Sequence, residues 1–424
     1  MMLSPQTDRS QIFHGLSMAT SLALNSKAVL SGAHRWKVLG VGVAANASVS
    51  AAATGFPTTA VWVRSAYHLD NGHLGVVLGA LGLGVALSEL PWGVLTDKWG
   101  DRPVLLTGLF STAGLLLAMT LFATPATASF GVLVAAMCLL GLLGGSVNGA
   151  SGRAVMAWFG EGERGLAMSI RQTAVPLGGG IGAALLPWLA SAHGFAAVFG
   201  VLAAMCALSG IFAWRWLHEP PETMHRASRL KSAAPLRNGL VWRVVLGIGV
   251  LCVPQFAVLS FATIFMHDAA RFGVSAISAT MAALQTGAIA MRVWSGRHTD
   301  RHGNRRAYLR VSTIAACASF VVLGIATALG AAHIPALLAT MLILAGVCVS
   351  AWHGVAYTEL ATLAGTERAG TALGMANTAV FAGFFLTPLA IPHVLAIGSW
   401  PMVWLAAGVC ASFAWPLFPR PARA

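Results

Sequence analysis

Twelve stretches of this chain are each long and apolar enough to cross a bilayer as a helix, and little but short polar connectors lies between them. A helix needs roughly 20 residues to span a hydrocarbon core about 30 Å thick, where no water exists to satisfy backbone N–H and C=O groups. The runs are Val38 to Val63, Leu74 to Val94, Val104 to Ala123, Phe130 to Gly149, Leu166 to Leu189 and Ala196 to Leu217, then Val244 to Met266, Ile277 to Val293, Val311 to Leu329, Ile334 to Val355, Thr371 to His393 and Trp400 to Leu417. The eighth is the shortest, because Arg292 interrupts it. Only 9% of the residues are charged, against about 25% in a soluble chain. The sequence therefore predicts an all-α membrane protein of twelve transmembrane helices.

The formal net charge of +13 does not indicate nucleic acid, because the Lys and Arg residues sit in short gaps between apolar runs and form no basic domain interleaved with aromatics. They are distributed unevenly. With the N-terminus inside, the inner loops hold sixteen of them, from Lys98 and Arg102 to Arg368, and the outer loops hold Arg64 and Arg271. The positive-inside rule then places both termini in the cytoplasm of a plasma membrane. Short loops without sorting signals suggest a bacterial inner membrane. The expected organisation is a cytoplasmic tail (1–35), a first set of six helices (36–217), a Pro-, Glu- and Arg-containing cytoplasmic linker (218–242), a second set of six (243–418) and a short tail (419–424). Cys138, Cys206, Cys252, Cys317, Cys348 and Cys410 all fall inside apolar runs with no CxxC spacing, so they read as core residues. No metal or cofactor is expected.

One loop occurs twice, after the second and the eighth runs. Gly93-Val-Leu-Thr-Asp97-Lys98-Trp-Gly100-Asp101-Arg102 and Gly296-Arg-His-Thr-Asp300-Arg301-His-Gly303-Asn-Arg305 both fit G-x-x-x-D-[RK]-x-G-x-[RK]. Glycines suit close helix packing and a tight turn, the Asp at a helix end faces neighbouring helix dipoles and arginines, and the basic residues hold the loop at the inner face. A second repeat supports duplication: Glu163-Arg164 through Gln172-Thr173-Ala-Val175 opens the fifth run, and Glu367-Arg368 through Asn377-Thr378-Ala-Val380 opens the eleventh.

With this loop in both halves, the chain resembles the major facilitator superfamily over roughly Arg35 to Leu417. The resemblance implies two pseudo-symmetric six-helix bundles that rock around a midplane site and open alternately to either face. It also implies a gating network at Gly93, Asp97, Arg102, Arg153, Gly296, Asp300, Arg301, Arg305 and Glu359, and a monomer. Drug/proton antiporters of the superfamily carry G-x-x-x-G-P-x-x-G-G in the fifth helix. Here Arg171 and Val175 replace the first two glycines, and Leu139 to Asn148 lacks the arginine those antiporters carry in the fourth helix. Both departures disfavour multidrug efflux.

Ionisable residues within a bilayer are costly and mark function. Four stand out: Glu89, Arg171, Arg292 and Glu359. Arg292 lies four residues before Gly296, where the similar proton-linked monocarboxylate and oxalate/formate porters hold the substrate carboxylate with an Arg. A guanidinium suits that role because it stays charged and binds a carboxylate through two parallel hydrogen bonds. An inner-gate role is the competing reading of Arg292. Glu89 holds the corresponding place before Gly93 and is either a proton-coupling carboxylate or a structural partner for an Arg. Arg171 either joins Arg292 in a cationic site or pairs with Glu163 or Glu359; Glu359 is expected to pair with Arg297 or Arg301.

His353, beside Trp352, is a candidate for binding substrate or the coupled proton. Asn46, Asn148 and Gln255 also fall on helices that line the superfamily's cavity, with interhelical hydrogen bonding as the plainer reading. Together these readings favour a secondary transporter that imports a small organic anion with protons. Alternatives are an efflux antiporter for a drug or metabolite and a non-transporting sensor. No HExxH or paired-aspartate constellation suggests an enzyme.

Overall fold

A computed structural model describes residues 32–218, 235–330 and 334–421. The predicted N-terminal tail up to residue 31, most of the linker (219–234) and the last three residues lie outside the described part.

Ten helical stretches in it are long and apolar enough to cross a membrane. One of these, Arg164–Trp216, is a double span: its backbone leaves the helical region at Gly194, with φ 74° and ψ −178°. That left-handed φ is open to glycine and turns the chain with no loop at all. A further helix, Val274–His302, is also long enough to span and runs unbroken through Arg292. Among the described residues the spans are thus α1 (Gly32–Thr59), α2 (Asn71–Trp99), α3 (Asp101–Phe122), α4 (Phe130–Trp158), α5 (164–193), α6 (195–216), α7 (Gly239–Asp268), α8 (Val274–His302), α9 (Arg305–Ala328), α10 (Pro335–Ala364), α11 (Ala369–Ile397) and α12 (Trp400–Leu417). They form the two pseudo-symmetric six-helix bundles that the sequence predicts.

Local chemistry sets the ends and breaks. Asp70 caps α2 by accepting from the His73 N–H at 2.7 Å, Ser129 caps α4, and Asn238 caps α7 by accepting from the Leu240 N–H at 3.0 Å. The C-terminal end of α1 widens into a π turn at Ala51–Gly55 and tightens into a 3-10 turn at Phe56–Thr59, where Pro57 has no N–H to give the ladder. α4 breaks at Gly145 and α10 at Ala351–Trp352.

The bundle inverts the solvent logic of a soluble protein. Large side chains such as Leu87, Leu121, Phe122, Trp188 and Trp214 face outward, and polar ones such as Glu89, Arg171 and Arg292 are buried. Between α2 and α4 the backbones nearly touch: a Cβ on Gly84 would lie 2.1 Å from the Cys138 carbonyl oxygen, and one on Gly141 would lie 2.1 Å from that of Leu81. In lipid, where apolar burial does not drive helices together, this close packing is what holds them. Gly84→Val is therefore expected to cost about 1–3 kcal/mol, read as a lower midpoint of thermal unfolding in detergent. Gly114→Val, at a position with no neighbouring atom within 4 Å, should leave the midpoint unchanged.

Candidate functional site

Where the halves meet, seven helices bring their polar residues into one buried cluster. Glu89 of α2 is fully buried and accepts hydrogen bonds from two amides: Asn148 Nδ2 of α4 to Oε1, and Asn377 Nδ2 of α11, at 3.2 Å, to Oε2. The Asn377 Oδ1 in turn accepts from the Tyr357 hydroxyl of α10 at 2.6 Å. Arg171 of α5 is 1% exposed and spends its donors within its own half, on Ser151 Oγ (2.9 Å), Gln172 Oε1 (3.1 Å) and the Asn148 carbonyl (2.7 Å). Gly152 of α4 allows the close approach of Leu373 of α11, whose Cδ1 would lie 2.5 Å from an added Cβ.

Arg292 of α8 is held differently. Its Nε donates to the Ser350 carbonyl at 3.1 Å and its Nη1 crosses the seam to the Gln172 carbonyl at 2.8 Å. It is 5% exposed, and among the described residues no carboxylate lies within 4.0 Å of it and its Nη2 has no partner. Ser350 collects two more of the predicted residues: Gln255 Nε2 of α7 donates to its hydroxyl at 3.3 Å, and His353 Nδ1 lies 3.2 Å from its carbonyl. His353 stacks on Trp352, with ring centroids 4.0 Å apart. The structure thus brings Glu89, Asn148, Arg171, Arg292, Gln255 and His353 together, with Arg171 and Arg292 joined through Gln172. Asn46 is buried on α1, but its contact is with Ser50 of the same helix and it enters none of these bonds.

The repeated loops form a second site at the basic end. Asp97, at the end of α2, accepts from the backbone N–H groups of Gly370 (2.9 Å) and Thr371 (2.8 Å), which open α11 in the other half. Asp300, at the end of α8, does the same for Gly165 (3.0 Å) and Leu166 (2.8 Å), which open α5. Carboxylate and helix N-terminus suit each other, because the first-turn N–H groups have no partner inside the helix and carry partial positive charge. Gly93 and Gly296 allow the approach: a Cβ on either would sit 2.4 Å from the carbonyl oxygen of Gly370 or Gly165. Arg153 bridges Asp101 (2.8 Å) and Asp97 (3.5 Å), and Arg305 reaches Asp300 (3.1 Å) and the Glu161 carbonyl (2.8 Å).

Several expected partners differ. Glu359 pairs with Arg306 at 2.6 Å, not with Arg297 or Arg301, because the α8–α9 turn carries Arg306 back onto α10. Arg171 pairs with neither Glu163, which is held by Arg35, nor Glu359. Arg102 donates to the Trp214 carbonyl at 2.9 Å and so binds the end of α6 within its own half. Arg301 is exposed and makes none of these contacts. Tyr357, Asn377, Gln172, Ser151 and Ser350 were not singled out as site residues. Two of them had a signal in the sequence: Gln172 and Asn377 hold the same place in the second repeat, each just before Thr-Ala-Val.

Comparison with known proteins fits this geometry. The family model of the Major Facilitator Superfamily matches residues 41–330, and the chain belongs to that superfamily. An uncharacterized MFS-type transporter of Mycobacterium tuberculosis is 27% identical over 387 residues, covering 91% of this chain and 85% of that one. The "Probable galactarate/D-glucarate transporter GudP" of Bacillus subtilis is 29% identical over 154 residues, 36% of this chain and 34% of that one. The "Probable anion transporter 5" of Arabidopsis thaliana is 27% identical over 172 residues, 40% and 39%. Among solved structures, the proton:xylose symporter XylE superposes with a TM-score of 0.76 at 14% identity, covering 91% of this chain and 95% of that one, and the human organic anion transporter MFSD10 with 0.72 at 15%, covering 91% and 99%. The chain is therefore an integral, multi-pass membrane transporter and not an enzyme.

The capping carboxylates give a direct expectation. Each contributes about 0.5–2 kcal/mol to the closed seam, so D97A and D300A should each speed alkylation of the buried Cys252 by N-ethylmaleimide several-fold, read by peptide mass spectrometry. The double variant should exceed either.

Proposed function

We propose that this chain imports a small organic anion together with protons by alternating access, with the basic end of the bundle facing the cytoplasm and Arg292 holding the anionic group. One observation carries the reading: a guanidinium buried at the junction of the halves without a carboxylate partner among the described residues. A cation in a low-dielectric interior is strongly destabilised unless it is paired. Arg292 touches both halves, through Ser350 and Gln172, so an anion bound to its remaining donors sits where rocking changes access. The names of the Bacillus and Arabidopsis relatives, a galactarate/D-glucarate transporter and an anion transporter, support the same class of solute.

The closed seam at the basic end fits one extreme of the cycle, in which Asp97 and Asp300 seal the cytoplasmic side. Glu89 is the acidic group of the cluster and the natural carrier of a coupled proton. Gln255 and His353, gathered on Ser350 beside Arg292, complete the anion's surroundings.

The test is uptake of labelled carboxylates into proteoliposomes under an inward proton gradient. Wild type should accumulate at least one of acetate, lactate and glucarate. R292A should lose uptake by about a hundredfold or more, the scale of removing a desolvated, charge-assisted pair. R292K should recover only part of it, since an ammonium cannot reproduce the two-pronged contact. Failure of wild type to take up any carboxylate sinks the reading.

A further inference from the structure

Three buried side chains connect the cluster's acid to its anion site across the boundary between the halves: Glu89 on α2, Asn377 on α11 and Tyr357 on α10. Each is at most 5% exposed. The direction of every hydrogen bond in this row is fixed by donor and acceptor chemistry. An ionised carboxylate can only accept, so the Asn377 end that faces Glu89 is its NH2 group. The other end is then a carbonyl, and the Tyr357 hydroxyl must donate to it. The amide orientation follows from this network. In this state the Tyr357 proton is committed to Asn377, 2.6 Å away, and is not available to any ligand.

A proton arriving from water at the Glu89 oxygen that faces Asn377 reverses the row. That oxygen becomes a donor, and two donors then face each other. A half-turn of the Asn377 amide resolves the conflict: its carbonyl accepts from Glu89 and its NH2 group donates to the Tyr357 oxygen. The Tyr357 O–H now needs another acceptor. The groups facing Tyr357 are Arg171 from α5, Arg292 from α8, Cys252 from α7 and Glu89 itself, with the His353 ring lying parallel 6.5 Å away. The two guanidinium groups only donate, so the natural acceptor is an anion held between them. No proton passes along the row; the added one stays on Glu89 and only hydrogen-bond directions change.

We propose that Asn377 and Tyr357 are positioning residues that couple the proton to the anion: protonation of Glu89 turns the Asn377 amide and releases the Tyr357 hydroxyl to bind the anion at Arg292. This rests on the organic-anion reading. Glu89 faces Arg171 from α5 as well as Asn148 and Asn377; its protonation frees a donor for the anion, and a bound anion gives the Tyr357 hydroxyl an acceptor, so proton and anion bind more tightly together than apart. Thermodynamic reciprocity requires the anion to strengthen proton binding by the same factor. The sign is that of symport.

Two measurements on the full chain test this, and the first needs no substrate. Infrared pH-difference spectra of the protein in lipid should show a carboxylic-acid band on acidification that is absent in E89Q. A tyrosine C–O shift should accompany it, absent in Y357F and lost in Asn377→Leu. A carboxylic band with no tyrosine component, a tyrosine component that survives in Asn377→Leu, or no carboxylic band assignable to Glu89 overturns the relay. The second measurement uses whichever of labelled acetate, lactate or glucarate the wild type transports. An inward gradient of about one pH unit should sustain about tenfold accumulation in a one-proton symporter. Asn377→Leu, which frees the Tyr357 hydroxyl whatever the protonation of Glu89, should let the ratio fall to about one while anion exchange at equal concentrations stays within about threefold of wild type. Equal loss of exchange and accumulation in this variant with an unchanged unfolding midpoint would mean that Asn377 only supports the fold or the site, and also overturns the proposal. Absence of any carboxylate uptake by wild type refutes the anion reading alone, and the infrared result then decides the relay by itself.

Discussion

The contact between a motif carboxylate and the start of a helix in the opposite half organises this structure. In a closed seam the first-turn N–H groups of a helix lack an intrahelical partner and are cut off from water. α11 and α5 solve this with carboxylates supplied from across the seam, Asp97 for one and Asp300 for the other. The bonds require near contact of backbones, which Gly93 and Gly296 permit, and that contact sets how the two bundles lie against each other. The same bonds can be exchanged for water when the seam parts, because both partners sit at the aqueous end of the bundle. A seam that is satisfied closed and satisfiable open is a two-state element, as alternating access demands.

The duplication also explains the chemistry of the centre. Glu89 and Arg292 occupy equivalent positions, each four residues before the motif glycine, and carry opposite charge. Each is engaged across the seam by a residue at the other repeated position: Asn377 of α11 bonds Glu89, and the Gln172 carbonyl of α5 bonds Arg292. A symmetric scaffold thus holds an acid on one side and a base on the other, separated by neutral amides that keep them from neutralising each other. Direct pairing of the two would satisfy both charges and leave nothing for a solute.

Most of the fold could be read from the sequence because the membrane imposes a single length and a single secondary structure on every span. The twelve apolar runs match the twelve helices, and even the α5–α6 pair was legible as two runs where the structure has one helical stretch turned at Gly194. Periodicity fixes a residue's place along a helix but not which neighbouring helix it faces. Sequence spacing points Glu359 to arginines on α8, and it meets one at the start of α9. Spacing allows Arg171 two acidic partners, and both are occupied elsewhere by Arg35 and Arg306. A lone tyrosine in an apolar run, as Tyr357 is, carries no signal until the fold sets it 2.6 Å from Asn377.

The two buried arginines show why charge count alone does not locate a binding site. Every nitrogen of Arg171 has an acceptor, on Ser151, Gln172 or Asn148, and Glu89 lies behind Asn148. Among the described residues Arg292 has two carbonyls. With Glu89 ionised, the two arginines and one carboxylate leave the cluster one positive charge in excess; with Glu89 protonated the excess is two. In a low-dielectric interior that added charge acts at long range, so a proton on Glu89 draws an anion toward Arg292 whatever the orientation of Asn377. On the proposed reading, electrostatics and hydrogen-bond direction therefore push the same way: each favours binding of the anion once Glu89 carries the proton.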